Sequence, residues 1–215
     1  MVSKAGYLSE IKKELVKTWP DNRTVNIICH GHSVPSGYFL TPDVRTFESY
    51  PHLTHVRVKE AYPYAVMNFI VTAIGGETSP EGAARFERDV LSHCPDAVTI
   101  DYGLNDRRAG LEAAGRAWGF MAGACKERGI PVIFLTPTWD MSFNEQDDNW
   151  KSLAEHAEQI RRLACEFGVA LSDSFAAFDE YIKAGGSLDD LLSQPNHPSK
   201  AGHILAAGCL AEWFV

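Results

Sequence analysis

Continuous apolar runs recur along the chain and are separated by segments with helical periodicity. Most of these runs are apolar at every position rather than at alternate positions, which is typical of parallel strands buried on both faces of a sheet. The pattern predicts five strands, at Val25–Cys29, Ala65–Ala73, Ala97–Tyr102, Val132–Leu135 and Val169–Leu171.

Between the predicted strands, apolar residues return every three or four positions. One such stripe runs through Trp118 and stops at Gly129, with Pro131 just beyond, and a second runs through Ile160 and stops at Gly168. Glycine or proline placed there is typical of a helix end. Further helices are predicted near residues 7–17, 81–92 and 200–214, with a short one around residues 55–61. Alternating strands and helices imply right-handed crossovers and a three-layer α/β sandwich.

The chain has 215 residues, which suits a single domain spanning residues 1–215. Two long irregular stretches, Pro35–Pro63 and Pro137–Asp148, follow the first and fourth predicted strands. Loops that follow strand carboxyl ends are where open α/β sheets bind ligands, so a site is expected at this edge.

Composition narrows the class of protein. Apolar residues make up 45% of the chain and charged residues 22%, as in soluble globular proteins. The net charge of −8 and the lack of a Lys/Arg cluster argue against a nucleic-acid partner. No apolar stretch suits a signal peptide or a membrane span. Five cysteines without a Cys-x-x-Cys pair favour a reducing compartment, so a cytoplasmic location without membrane association is predicted.

Four polar segments carry groups suited to acyl transfer, and the first three follow predicted strands. They are Gly31–Ser33, Gly75–Ser79, Tyr102–Asp106 and Asn196–Ser199. A serine hydroxyl can act as a nucleophile, a histidine as its base, and backbone or amide N–H groups can stabilise an oxyanion.

Each of these residues also has a plain structural interpretation. Ser33 suits a turn or a helix N-cap, Thr78 or Ser79 suits the cap of the next helix, and Asn105 suits a turn. His197, which precedes a proline and therefore favours an extended conformation, could be a structural histidine. The four segments together are far more specific than any one of them.

In their order, the four segments resemble the conserved blocks of the SGNH hydrolases, the GDSL-like esterase and lipase superfamily, over nearly the whole chain. The resemblance implies a flavodoxin-like α/β/α sandwich with a five-stranded parallel sheet. It also implies that Ser33 is the nucleophile and His197 the base. The oxyanion hole would comprise the N–H groups of Ser33 and Gly76 and the side-chain amide of Asn105.

Two positions depart from the family pattern. His32 stands where the family usually has an aspartate before the nucleophile, and Gln194 stands where it usually has an acid three residues before the histidine. Another group must then hold the imidazole in the productive tautomer. The sequence leaves open a backbone carbonyl or side-chain oxygen of Gln194, or the carboxylate of Asp189 or Asp190.

The predicted function is a serine esterase that hydrolyses a small or short-acyl ester, such as an O-acetylated carbohydrate, without a cofactor. The small-molecule ester is the only partner predicted, and the oligomeric state is left open. The alternative is a non-catalytic protein that binds a small ligand in the same pocket, which the departures at His32 and Gln194 favour.

Several other residues have two interpretations. Tyr38, Phe39 and Trp139 either line a pocket or are scattered surface aromatics, and Trp118 and Trp213 are expected in the core. His203 is expected to be buried or capping, and Asp101 to orient a loop without a catalytic role. His30 and His32 form a weak metal pair, because no acid or cysteine has matching spacing, so no metal is predicted.

Overall fold

The computed structural model of this chain describes residues 2–215. Its central feature is a parallel sheet in the strand order β2-β1-β3-β4-β5, and a two-stranded antiparallel hairpin, β6-β7, lies outside that sheet. The strands are β1 (Thr24–Gly31), β2 (Val66–Val71), β3 (Ala97–Asp101), β4 (Val132–Leu135), β5 (Ala170–Ser172), β6 (Leu192–Gln194) and β7 (His197–Pro198).

Helices cover both faces of the sheet. They are α1 (Lys4–Tyr7), α2 (Ser9–Leu15), α3 (Ser33–Ser36), α4 (Tyr50–Ala61), α5 (Ser79–Ala84), α6 (Phe86–Asp89), α7 (Leu111–Lys126), α8 (Ser142–Glu145), α9 (Asp148–Phe167), α10 (Ser174–Lys183), α11 (Leu188–Leu191) and α12 (Lys200–Ala211), with short 3₁₀ helices at Thr46–Glu48, Leu91–His93 and Asp106–Arg108. The predicted three-layer α/β/α architecture is confirmed. Within residues 2–215, no helix combines the length and apolar character needed to cross a bilayer.

Two apolar cores lie on opposite faces of the sheet. Because neighbouring strand residues point to opposite faces, Ile27 enters the core covered by α2, α4 and α12, while Ile28 enters the core that contains Trp118 of α7. Both tryptophans expected in the core are there, with Trp118 1% and Trp213 3% exposed.

The five main strands fall close to their predicted positions, but several other regions differ. The stretch predicted as mostly irregular contains a helix of three turns, α4, with a proline in its first turn. The first predicted helix is two helices, α1 and α2, and the helix predicted near residues 81–92 is broken into α5, α6 and a 3₁₀ turn. The helix α10 and the hairpin β6-β7 were not predicted. The hairpin strands have only three and two residues, too few to show a periodicity.

Candidate active site

Ser33 lies at the carboxyl edge of the sheet, where β1 gives way to α3. The last residue of β1, Gly31, pairs with Asp101 at the end of β3, and a Cβ atom at position 31 would overlap the carbonyl oxygen of Asp101. Glycine therefore allows the two strand ends to approach each other. Ser33 is the first residue of α3, so its N–H has no acceptor within the helix, and the residue is 7% exposed.

His197 reaches the same edge from the far end of the chain. The hairpin β6-β7 pairs Gln194 with His197, and the next helix, α12, begins at Lys200. The Nε2 atom of His197 lies 2.9 Å from the Oγ atom of Ser33. This distance lies within the range for proton transfer between a serine hydroxyl and an imidazole base.

A backbone carbonyl faces the other nitrogen of the His197 ring. The carbonyl oxygen of Phe39 lies 2.9 Å from Nδ1. A carbonyl only accepts, so this contact requires a proton on Nδ1 and leaves the Nε2 lone pair facing Ser33. Burial lowers the pKa of His197, the neighbouring His32 lowers it further, and the Phe39 carbonyl opposes both effects. The neutral, proton-accepting form is thereby favoured.

Gln194 also contacts Nδ1, but with its amide nitrogen. Its Oε1 atom accepts the N–H of Thr41 at 2.8 Å, while its Nε2 atom lies 2.6 Å from Nδ1 of His197. The backbone N–H of Thr41 can only donate, so it fixes which end of the amide faces the ring. The expectation that the side-chain oxygen of Gln194 orients His197 is therefore wrong. The amide nitrogen instead competes with Phe39 for the Nδ1 position.

The structure does not bring Asp189 or Asp190 into contact with His197. The carboxylate of Asp190 accepts hydrogen bonds from the hydroxyl of Tyr181 at 3.1 Å and from the N–H of Ser187 at 3.2 Å. Asp189 is exposed in the first turn of α11. Both acids occupy a helix N-terminus, where negative charge is favourable, rather than the position of a histidine partner.

A glycine turn and an asparagine follow β2 and β3, the two strands that flank β1 in the sheet. Gly76 has a φ of 83°, a conformation that favours glycine, and its N–H has no hydrogen-bond acceptor within residues 2–215. The side-chain amide of Asn105 donates to the carbonyl of Glu77 at 2.9 Å, which leaves its second N–H available. The expected capping role of Thr78 is confirmed by its reciprocal hydrogen bonds with Glu81.

A network of largely buried polar side chains stabilises this glycine turn. Arg85 donates two hydrogen bonds to the carboxylate of Glu77, at 2.6 and 2.7 Å. The hydroxyl of Tyr102 lies 3.2 Å from Glu77 and 3.0 Å from Nε2 of His30, whose pKa burial lowers to about 4. Nothing in the spacing of these four residues along the sequence marks them as partners, so the network was not predicted.

The aromatic residues near the site have different surroundings. Tyr38 is half-buried, with its ring centroid 5.9 Å from that of His197, and it packs against Gly75. Phe39 and Trp139 are each only 2% exposed, so they neither line an open pocket nor lie on the surface, and both interpretations of them are wrong. His203 is fully buried, as expected, and its Nδ1 atom accepts the N–H of Tyr50.

The two histidines considered as a metal pair face different partners. His30 contacts Thr72 and Tyr102, whereas His32 contacts Val34 and Asp101. Within residues 2–215, no three histidine, cysteine, aspartate or glutamate side chains are grouped closely enough to hold a metal ion.

Comparison with known proteins places this arrangement in a family. Residues 29–205 match the GDSL-like lipase/acylhydrolase family, and this match contains every site residue described above. The chain belongs to the GDSL-like lipase/acylhydrolase family. It is accordingly a carboxylic ester hydrolase, and the sequence-based prediction of this class is confirmed.

One relative is similar in sequence, and two solved structures are similar in fold. An acetylxylan esterase from Geobacillus stearothermophilus is 26% identical over 166 residues, which cover 70% of this chain and 73% of the relative. The solved structure of Axe2, an acetylxylan esterase from the same organism, superposes with a TM-score of 0.74 at 22% identity, covering 93% of this chain and 95% of Axe2. LAE5, described as an alpha/beta hydrolase from the metagenome of Lake Arreo, Spain, gives 0.71 at 21% identity, covering 92% and 99%.

Proposed function

We propose that this GDSL-like hydrolase is a serine esterase that removes small acyl groups, acetyl above all, from a carbohydrate through an acyl-enzyme on Ser33. The observation that carries the proposal is the 2.9 Å contact between Ser33 Oγ and His197 Nε2, with the Phe39 carbonyl on the other ring nitrogen. Together these contacts give a hydroxyl and a base in the required tautomer.

The mechanism begins with attack of Ser33 Oγ on the ester carbonyl carbon, while its proton passes to Nε2 of His197. The N–H groups of Ser33 and Gly76 and the free N–H of Asn105 then donate to the oxyanion of the tetrahedral intermediate. As the bond between the acyl carbon and the sugar oxygen breaks, His197 gives its proton to that oxygen, which leaves as the sugar hydroxyl. A water molecule, deprotonated by His197, finally attacks the acyl-enzyme and releases the acid and Ser33.

Two features support a short acyl group on a carbohydrate. Ser33 is almost fully buried, and the Tyr38 ring lies between the glycine turn and His197, so little space remains beside the nucleophile. The relatives described as acetylxylan esterases act on acetylated xylan, and their similarity extends over most of this chain.

The nucleophile is tested by Ser33→Ala. We expect turnover of p-nitrophenyl acetate to vanish and labelling by a fluorophosphonate probe to be lost, with the free energy of unfolding changed by less than about 1 kcal/mol. Ser36→Ala removes a hydroxyl from the same helix and serves as the matched control, which should keep both properties. Persistent turnover in purified Ser33→Ala would assign the nucleophile elsewhere.

The substrate class is tested by comparing acyl lengths and alcohol groups. We expect kcat/KM to fall steeply from p-nitrophenyl acetate to the butyrate and octanoate esters. Acetylated xylo-oligosaccharides should release acetate with wild-type protein and none with Ser33→Ala. Faster turnover of octanoate than of acetate would contradict the short-acyl proposal while leaving the serine mechanism intact.

We also retain a cytoplasmic location as a proposal. All five cysteines are free, and two of them, Cys94 and Cys165, are exposed, which suits a reducing compartment. Fractionation of cells that produce the native chain, followed by immunodetection, would test it.

A further inference from the structure

A second imidazole lies beside the proposed nucleophile. The Nδ1 atom of His32 is 3.4 Å from Ser33 Oγ, and the His32 side chain is almost completely buried. The serine hydroxyl thus has two histidine nitrogens close to it, one from the residue before it and one from His197.

Neighbouring groups define the tautomer of His32. The backbone N–H of Val34 donates to Nδ1 at 3.3 Å, and because that N–H can only donate, Nδ1 carries no proton. The proton of the neutral ring therefore resides on Nε2, which lies 3.4 Å from Oδ1 of Asp101. The other carboxylate oxygen, Oδ2, accepts the hydroxyl of Tyr50 at 3.0 Å, which holds this buried acid beside the His32 ring.

The two histidines therefore present opposite nitrogens to the same hydroxyl. His197 offers Nε2 at 2.9 Å, with Nδ1 on a carbonyl, while His32 offers Nδ1 at 3.4 Å, with Nε2 on a carboxylate. The His32 lone pair is already engaged by Val34, and the longer distance makes it the weaker acceptor. His32 consequently does not replace His197 as the base. Its position suits a group that fixes the turn carrying Ser33.

We propose that His32 is a positioning residue, whose Nδ1 atom accepts the Val34 N–H at the start of α3 and so fixes the turn from which Ser33 Oγ reaches His197, and that Asp101 acts through His32 by fixing its tautomer. This inference rests on the proposed role of Ser33. It assigns a task to the residue that departs from the family pattern at position 32, and to an acid for which the sequence indicated no catalytic role.

The matched pair His32→Asn and His32→Gln tests the cap. The Oδ1 atom of asparagine occupies nearly the place of Nδ1, so it can accept the Val34 N–H, whereas the amide of glutamine lies one bond farther from the backbone. We expect His32→Asn to keep kcat within about tenfold of wild type. His32→Gln should lose roughly a hundredfold, since a misplaced nucleophile of this kind costs about that much. KM should stay near wild type in both.

The role of Asp101 is tested in two backgrounds. Asp101→Asn should lower kcat by roughly tenfold in the wild type, as loss of a tautomer-fixing carboxylate does at other histidines. Asp101→Asn should have no further effect on kcat in the His32→Asn background, because the imidazole through which Asp101 acts on Ser33 is absent there. Tyr50→Phe, which removes only the other hydrogen bond to Asp101, is the control. In ¹⁵N NMR spectra, His32 should show protonated Nε2 and His197 protonated Nδ1.

Several outcomes would overturn the inference. If kcat falls equally in the asparagine and glutamine variants, and in proportion to the fall in their thermal unfolding midpoints, His32 has a structural role alone. If both variants keep full activity, His32 has no role in positioning Ser33. Additive effects of Asp101→Asn and His32→Asn would break the link between the two residues. If wild-type protein is labelled on Ser33 at the same rate as both His32 variants, only this inference fails. If Ser33→Ala remains active, the proposed function fails instead.

Discussion

The proposed oxyanion side and the histidine side of the candidate site are built in different ways. On the oxyanion side, Gly76 and Asn105 follow β2 and β3, and a buried ion pair between Arg85 and Glu77 supports the glycine turn. On the histidine side, His197 lies in a short hairpin, the carbonyl of Phe39 from a loop faces its Nδ1 atom, and the amide nitrogen of Gln194 competes for the same position. The oxyanion side depends on an ion pair between two side chains, whereas the histidine side depends on contacts between a hairpin and a loop.

The difference predicts which side tolerates change. A buried, paired charge leaves an unpaired partner when it is removed, so the oxyanion side should resist substitution poorly. Contacts made by a backbone carbonyl survive any side-chain substitution at that position. Mutations on the histidine side should therefore change the activity by modest factors without unfolding the protein. Four experiments address this contrast, in order of decreasing expected effect.

The first breaks the support of the oxyanion side. Arg85→Ala should leave the nearly buried Glu77 carboxylate unpaired and lower the free energy of unfolding by about 3–5 kcal/mol, measured by urea denaturation. Gln194→Ala, on the half-buried histidine side, should cost less than about 1 kcal/mol. Equal costs for the two variants would show that the two sides do not differ in this way.

The second removes an oxyanion donor. Asn105→Ala should reduce kcat by about a hundredfold to a thousandfold with little change in KM, because its free N–H serves the transition state rather than the bound substrate. Asn196→Ala removes an exposed amide next to His197 and should change kcat little. A parallel rise in KM for Asn105→Ala would point to a role in substrate binding.

The third compares the two sides by acid titration. Burial lowers the pKa of His30, on the oxyanion side, to about 4 and that of His203, beneath the histidine side, to about 3. Below pH 6.5, roughly the pKa of histidine in the unfolded chain, the unfolded chain binds protons that the folded chain does not. The free energy of unfolding therefore decreases as the pH is lowered, until the pH reaches the pKa of the histidine in the folded chain. Each histidine should contribute a slope of about 1.4 kcal/mol per pH unit near pH 5.

A variant separates these contributions. Urea denaturation of His30→Gln between pH 7 and pH 4.5 should show a free energy of unfolding that depends less steeply on pH than in wild type. The difference in slope should correspond to about one bound proton. An unchanged slope would mean that His30 takes up its proton in the folded state.

The fourth tunes the histidine side. Gln194→Glu replaces the amide nitrogen at Nδ1 with an oxygen, which removes the competing donor and adds an anion beside the imidazolium that forms during attack. We expect kcat to rise by about tenfold, equivalent to about 1.4 kcal/mol. The carboxylate should raise the pKa of His197, so the acidic limb of the kcat/KM profile should move to higher pH.

Gln194→Met is the matched control for this variant, since it removes the amide without adding charge. A modest gain in kcat for Gln194→Met, without a shift of the acidic limb of its pH profile, would measure the effect of removing the competing amide alone. A loss of activity in Gln194→Glu would show that the amide helps rather than hinders His197.

The sequence by itself determined the sheet and the order in which polar segments reach its edge. Continuous apolar runs specify parallel strands, and the carboxyl ends of parallel strands meet at one edge, so the segments that contain Ser33, Gly76 and Asn105 were expected there. The roles predicted for these residues came from the family resemblance. Only the tertiary structure decided what touches Nδ1 of His197. The answer is a carbonyl 158 residues away in the chain, and every residue has such a carbonyl, so no residue type marks it.

The same reason explains the other contacts that the sequence did not reveal. The N–H of Thr41 decides which end of the Gln194 amide faces the histidine, and the N–H of Val34 decides the tautomer of His32. Asp101 meets His32 only because Gly31 lets two strand ends approach. Residue identity encodes burial and local conformation, whereas the partner of each polar atom depends on where the folded backbone places its donors and acceptors.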